Sequence, residues 1–216
     1  MSDHDHDHDG GHDHDGEPED HAGIDRSELS PYAYRVMAMR ELLIERQIIR
    51  QDDLDAAMTS LARMSPVNGA RLVARAWVDP DFRSRLLADA HTAAMEIGIP
   101  IPDEPRVTVL ENRPDVHHLV VCTLCSCYPR TLLGRPPDWY KSHAYRSRAV
   151  SEPRVVLSEF GLDLGDEVSV RVVDSTADHR YLVLPNRPAT TEGMSEDRLV
   201  EVISRDAMIG AGAVEV

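Results

Sequence analysis

All three cysteines of the chain fall within one stretch, VVCTLCSCYPR, as Cys122, Cys125 and Cys127. Thiols this close can do several kinds of chemistry. A redox pair would use Cys122 and Cys125 and leave Cys127 without a role. A structural zinc site needs four ligands, usually as two separated pairs, and there is no second cysteine pair. An iron–sulfur cluster also lacks its fourth cysteine. His117 or His118 could complete a zinc set. They are neighbours on an expected strand, however, where adjacent side chains point to opposite faces. Histidines so placed are read here as surface or packing residues.

The shortness of Cys125-Ser126-Cys127 allows another arrangement. If the amides of Ser126 and Cys127 lose their protons, both nitrogens can bind one metal alongside the Cys125 and Cys127 sulfurs. The chelate rings that result are five- and six-membered, and the four atoms form a planar N2S2 set. Cys122, three residues earlier, can add a fifth ligand from the side, which leaves a sixth position for water or substrate. Three thiolates and two anionic amides favour a trivalent Lewis acid such as Co(III) or Fe(III) over Zn(II).

The elements that must position this cluster follow from periodicity. Residues 32–62 carry apolar positions at mostly three- and four-residue spacing, which predicts helix. Gln51-Asp52-Asp53 is expected to cap a second helix from Leu54 to Met64. Pro66-Val67-Asn68-Gly69 reads as a turn, Ala70 to Val78 as helix, and Asp81 to Ile97 as one further helix after Pro80. Trp77 and Trp139 are expected to pack rather than bind ligand. From residue 100 the character changes. Residues 106–110 and 117–121 read as strands, the second ending directly in the cysteines. A short helix is expected at Trp139 and a longer one over 145–160, divided by Pro153. Residues 168–173 and 180–184 read as a strand pair, and Ser195 caps a helix to Ile203. Helices first and mixed strands and helices after them make an α+β fold.

Composition excludes several function classes. The net charge of −15 is concentrated in the first 23 residues, which hold nine acidic residues and no Lys or Arg. The remainder carries about −6, ordinary for a soluble domain. No basic footprint for nucleic acid is present, and no apolar run approaches the ~20 residues of a membrane span. The acidic N-terminus is neither a secretory signal nor a transit peptide, so a cytoplasmic setting is expected. Residues 1–23 alternate Asp and His and are expected to be disordered. There His4, His6, His8, His12 and His14 could bind divalent metal loosely, or the segment could act as a solubilising tail. The expected organisation is a tail (1–23), a helical arm (24–99) and a mixed core carrying the cysteines (100–216).

Val121-Cys-Thr-Leu-Cys-Ser-Cys-Tyr-Pro resembles the claw motif of the catalytic (alpha) subunit of nitrile hydratase and, equally, of the related catalytic (gamma) subunit of thiocyanate hydrolase. The likeness continues in the thirteen-residue run from Asn68 to Pro80, in Leu110-Glu-Asn, in Trp139-Tyr-Lys-Ser, in Ala144-Tyr-Arg-Ser-Arg and in Arg205-Asp-Ala-Met-Ile-Gly. It covers the chain from about residue 32 to the end. The resemblance implies a helical arm that contacts a partner and a layered α/β/β/α core holding the metal. Cys122, Cys125 and Cys127 are then the sulfur ligands, Ser126 and Cys127 also bind through backbone nitrogen, and Cys125 is a sulfinate and Cys127 a sulfenate. Thr123, where iron-type members carry Ser, is similar to the cobalt type, so one Co(III) per chain is expected, Fe(III) being the alternative, with no organic cofactor. A beta-type partner, as one chain or split into two, supplies arginines to the oxidised sulfurs. The reaction implied is hydration of a nitrile to the amide, with water or the Cys127 sulfenate oxygen as nucleophile.

Two positions depart from nitrile hydratases. Arg130 stands where they commonly carry an aromatic residue. Beside Tyr128 in the expected substrate pocket, an arginine suits an anion such as thiocyanate, or pairs with a carboxylate at a subunit interface. Asp103 stands where they typically carry Gln. The substrate expected is therefore a simple or specialised nitrile, with thiocyanate, converted to carbonyl sulfide and ammonia, as the alternative. A non-enzymatic metal-binding module is the remaining reading.

Overall fold

A computed structural model describes residues 30–214. The tail histidines His4, His6, His8, His12 and His14 lie outside the described residues. Two units are compact in themselves, one up to Leu54 and one from Asp55 onward. Among the described residues no helix is long and apolar enough to cross a membrane.

In the first unit, Ser30 caps helix α1 (Pro31–Glu45) by accepting from the Ala33 N–H, and Pro31 opens the helix, where its missing N–H costs nothing. No residue of α1 is buried, and Tyr32, Tyr34, Met39 and Leu42 stand exposed. The chain turns at Gln47, whose φ is 55°. Helix α2 (Gln51–Ala62) starts at Gln51 rather than Leu54. Asp52 and Asp53 are thus not a cap but first-turn residues, where carboxylates meet the positive end of the helix dipole.

The second unit continues with α3 (Pro66–Val78), α4 (Pro80–Ala88), α5 (Ala90–Glu96), β1 (Arg106–Glu111) and β2 (Val116–Val121). Then follow α6 (Arg130–Leu133), α7 (Asp138–Lys141), α8 (His143–Ser151), α9 (Pro153–Glu159), β3 (Ser169–Asp174), β4 (His179–Leu184), α10 (Glu196–Val202) and α11 (Arg205–Ile209). The expected turn at Pro66–Gly69 is instead the first turn of α3, because Ser65 accepts from the Val67 N–H and Pro66 fills the opening position. The single helix expected over 81–97 is broken at Asp89. Its carboxylate takes the N–H groups of His91 and Thr92, so it ends α4 and starts α5. Pro153 does divide α8 from α9.

The strands form two parallel pairs, β1 with β4 and β2 with β3. The expected pairing of β3 with β4 does not occur. Residues 175–178 carry the chain from one sheet to the other: the Ser175 N–H donates to the Val121 carbonyl, and the Arg106 N–H donates to the Asp178 carbonyl. Parallel pairing suits β2, which is buried along nearly its whole length. Helices α4, α5 and α11 cover the β1–β4 pair and α8 and α9 cover β2–β3, while β2 packs beside β4. The result is the layered α/β/β/α core of an α+β fold, with the C-terminal end of β2 opening into the cysteine loop.

The opposite, N-terminal end of β2 is held by the turn that follows α11. His117 Nε2 donates to the Gly210 carbonyl at 2.7 Å, and Nδ1 accepts from Asn112 Nδ2 at 3.0 Å. Burial lowers the proton affinity of His117, which favours this neutral, doubly bonded form.

Candidate metal centre

The loop after β2 is tied down residue by residue. Tyr145 of α8 donates its hydroxyl to the Val120 carbonyl at 2.7 Å. Asp174, the last residue of β3, accepts from the Thr123 N–H at 3.0 Å and from the Thr123 hydroxyl at 2.5 Å. Arg146 Nη1 donates to the Thr123 carbonyl at 3.3 Å. Tyr140 of α7 donates to the Cys127 carbonyl at 2.9 Å. Beyond the loop, Asn68 Nδ2 donates to the Thr131 carbonyl at 2.8 Å, which fixes α6 against α3. Gly69 makes that approach possible, since a Cβ there would lie 2.9 Å from the Leu132 carbonyl oxygen.

These ties gather the three sulfurs on one side of the loop. Cys122 is buried, Cys127 half-buried and Cys125 exposed. The Cys122 and Cys125 sulfurs are 3.4 Å apart and those of Cys125 and Cys127 3.0 Å apart. The Cys125 N–H donates to the Cys122 sulfur, closing the loop on itself. Among the described residues this trio is the one cluster of three or more His, Cys, Asp or Glu able to hold a metal, its donor atoms all lying within 4.8 Å of one another. His117 and His118 do not join it. Both His117 nitrogens are committed elsewhere, and the His118 N–H and Nδ1 engage Asn112 Oδ1.

The donor chemistry bears on the metal. Three thiols set two and three residues apart, with backbone amides between them and no imidazole or carboxylate in the cluster, fit a planar or octahedral ion better than tetrahedral zinc.

Protons on the cluster are unequal. Hydrogen bonds from the Cys127 and Cys122 thiols bring Cys125 down to about 7. Burial, followed by the interaction with Cys125, pushes Cys127 up to about 12, although the nearby Arg180 guanidinium pulls the other way. Metal must displace these protons to bind. Cobalt uptake by the metal-free chain is expected to fall as pH drops through about 7, where Cys125 takes up its proton. Uptake followed from about pH 5.5 to about pH 8.5 checks this, and a flat profile would contradict it.

A cavity of about 380 Å³ opens beside the cluster, lined among others by Cys125, Ser126, Cys127, Tyr128, Arg130 and Arg180. Of the sequence-expected site residues, Cys125, Ser126, Cys127, Tyr128 and Arg130 line this cavity and Cys122 lies in the sulfur trio. Tyr128 is buried with its ring edge-on to Tyr140 at 5.1 Å, and Arg130 is exposed at the start of α6 without an ion-pair partner among the described residues. Asp103 does not line this cavity and sits on the surface, 3.3 Å from His91 Nδ1. Sequence reasoning assigned no role to Asp174, Tyr140, Tyr145, Arg146 or Arg180. Tyr140, Tyr145 and Arg146 fall in segments that carry the family likeness, whereas nothing local distinguishes Asp174 or Arg180.

Asp174 is the simplest of these ties to test. Asp174→Ala removes both Thr123 anchors from an exposed position, so cobalt retention is expected to fall roughly 10–100-fold while the fold is kept. The rate of cobalt loss to a chelator measures this, and Asp174→Asn should recover part of the effect.

The model of the family "Nitrile hydratase, alpha chain" matches residues 30–212. The low-molecular weight cobalt-containing nitrile hydratase subunit alpha of Rhodococcus rhodochrous is 49% identical over 180 residues, covering 82% of this chain and 86% of that one. The thiocyanate hydrolase subunit gamma of Thiobacillus thioparus is 42% identical over 194 residues, covering 85% of this chain and 80% of that one. Among solved structures, a recombinant thiocyanate hydrolase comprising partially modified cobalt centres superposes with a TM-score of 0.78 at 40% identity, over 87% of this chain and 92% of that chain.

Proposed function

The chain belongs to the nitrile hydratase alpha-chain family, and from that premise we propose that it is the catalytic subunit of a heteromeric cobalt nitrile hydratase, converting a nitrile to its amide. The observation that carries the reading is the three-sulfur cluster beside a cavity, in a chain half identical to a cobalt-containing subunit. Cys122, Cys125 and Cys127 would hold the cobalt through sulfur, and Ser126 and Cys127 also through backbone nitrogen. Bound cobalt would supply Lewis acidity that polarises the substrate C≡N bond.

The chain's own residues do the rest. The Asp174, Tyr140 and Tyr145 bonds hold the loop so that ligand atoms need not reorganise as charge develops. In this reading Cys125 is carried as sulfinate and Cys127 as sulfenate, and the Cys127 oxygen or a water attacks the nitrile carbon. Tyr128 forms an apolar wall for the substrate. A beta-type partner, as one chain or two, covers the loop and contributes arginines to the oxidised sulfurs. The exposed Leu124 and the exposed apolar residues of α1 supply contact surface of the kind partners bury. A cytoplasmic setting would keep the thiols reduced until metal arrives.

A second reading rests on Arg130. Its unpaired guanidinium in the cavity wall suits an anion, which favours thiocyanate as substrate. Supplying the purified complex with simple nitriles and with thiocyanate in separate reactions distinguishes the two. Amide without ammonia establishes the hydratase. Ammonia with carbonyl sulfide from thiocyanate establishes the second reading and overturns the first.

A further inference from the structure

Arg180 has no place in the sequence reading, yet the fold brings it to the metal centre. It sits on β4 opposite Val107 of β1, and both line the cavity with Cys125, Ser126 and Cys127. In a parallel pair the register decides which face each side chain takes, so the position of Arg180 is set by the sheet and not by a flexible loop. Its Nε is buried and has no hydrogen-bond partner among the described residues; Nη1 reaches only the His179 carbonyl, at 3.3 Å. An orphaned, buried N–H of a guanidinium calls for an acceptor, and one carrying negative charge suits it best.

No Asp or Glu lines the cavity, although the chain as a whole is strongly acidic. The claw itself is the remaining source of negative charge there. Counted with its ion, three thiolates and two deprotonated amides around a trivalent metal leave roughly two negative charges in a half-buried site. Such a charge is costly without a fixed countercharge. Arg130, at the exposed rim, is free to meet a substrate, whereas Arg180 is half-buried and fixed in the sheet.

We propose that Arg180 is a positioning residue, this chain's own countercharge to the metal-bearing claw, holding the Cys127 side of the loop independently of any arginine a partner supplies. This rests on the claw reading given above.

The test uses the purified heteromeric complex carrying Arg180→Gln or Arg180→Lys. The readouts are cobalt per chain, the sulfur-to-cobalt charge-transfer absorption and the rate of cobalt loss to a chelator. Arg180→Gln is expected to shift the charge-transfer band and to speed cobalt loss roughly 10–100-fold. Arg180→Lys, which keeps the charge, should stay near the unaltered complex. The proposal is overturned if Arg180→Gln leaves band and loss rate unchanged, or if it only weakens co-purification of the partner, which would make Arg180 an interface residue. Should Arg180→Gln fail to fold, Arg180→Lys still decides: retained cobalt with the unaltered band supports a countercharge, and cobalt lost to background overturns it. Failure of the claw reading itself would show in the unaltered complex, as the absence of both tightly held cobalt and the band.

Discussion

Cys125→Ala is expected to lower cobalt in the purified complex from one ion per chain to background and to take nitrile hydration with it, while the stability of the metal-free chain shifts by no more than about 0.5 kcal/mol. The last clause gives the experiment its force. Cys125 is exposed, so removing its thiol empties no core volume. Its sulfur, however, lies 3.4 Å from Cys122 and 3.0 Å from Cys127, at the middle of the trio. No single change takes out a more central donor at less cost to the fold. Cys122→Ala should lose the metal equally but confounds the reading. Cys122 is buried in the core, and truncation there costs a further ~1–2 kcal/mol. Elemental analysis paired with thermal unfolding separates the two variants. Full cobalt in Cys125→Ala would mean that the cluster is not the binding site.

Gly210→Ala is expected to damage the fold more than any cysteine change. Gly210 has φ of 83°, a conformation that costs a side-chain-bearing residue roughly 1–2 kcal/mol. A Cβ there would also lie 1.9 Å from the His118 carbonyl oxygen, a backbone atom inside β2 that cannot swing aside. Its own carbonyl accepts from His117, so displacing the turn would also strip a buried histidine of its partner. Together these place the loss at about 4 kcal/mol or more, or a fall in Tm of roughly 8–16 °C. Because β2 leads straight into Cys122, the variant should also fail to retain cobalt even where it stays soluble. Thermal unfolding of the metal-free chain measures the first effect free of the second. A change under about 1 kcal/mol would show that the C-terminal turn does not brace β2.

What the sequence made legible was local. Three cysteines within six positions form a chelating run whatever surrounds them, and the chelate argument needs only bond lengths and ring sizes. The strand feeding the run was visible because β2 is short, apolar and β-branched. The errors are of two kinds: local caps taken for helix interior or turn, and strands whose deciding partner lies far away in the sequence. Asp89 looked like one more polar residue on a helix until its carboxylate took two following N–H groups. β3 and β4 are close in sequence and resemble a hairpin, but each pairs with an earlier strand, and no periodicity within them records that choice. Asp174 and Arg180 were invisible for the same reason. Each is an ordinary charged residue at the end or edge of a strand, and only the parallel registers bring them to the loop. Tyr140 and Tyr145 were in plain view within the family-like segments, but their hydroxyl partners are carbonyls 13 and 25 residues away.

The most direct test of the account is X-ray absorption at the metal edge of the purified complex, which counts the ligands and reads the ion. A single cobalt per chain is expected, bound by about three sulfurs and by two or three lighter donors that include backbone nitrogen. A tetrahedral zinc with sulfur and imidazole ligands, or a metal bound by oxygen donors alone, would contradict it.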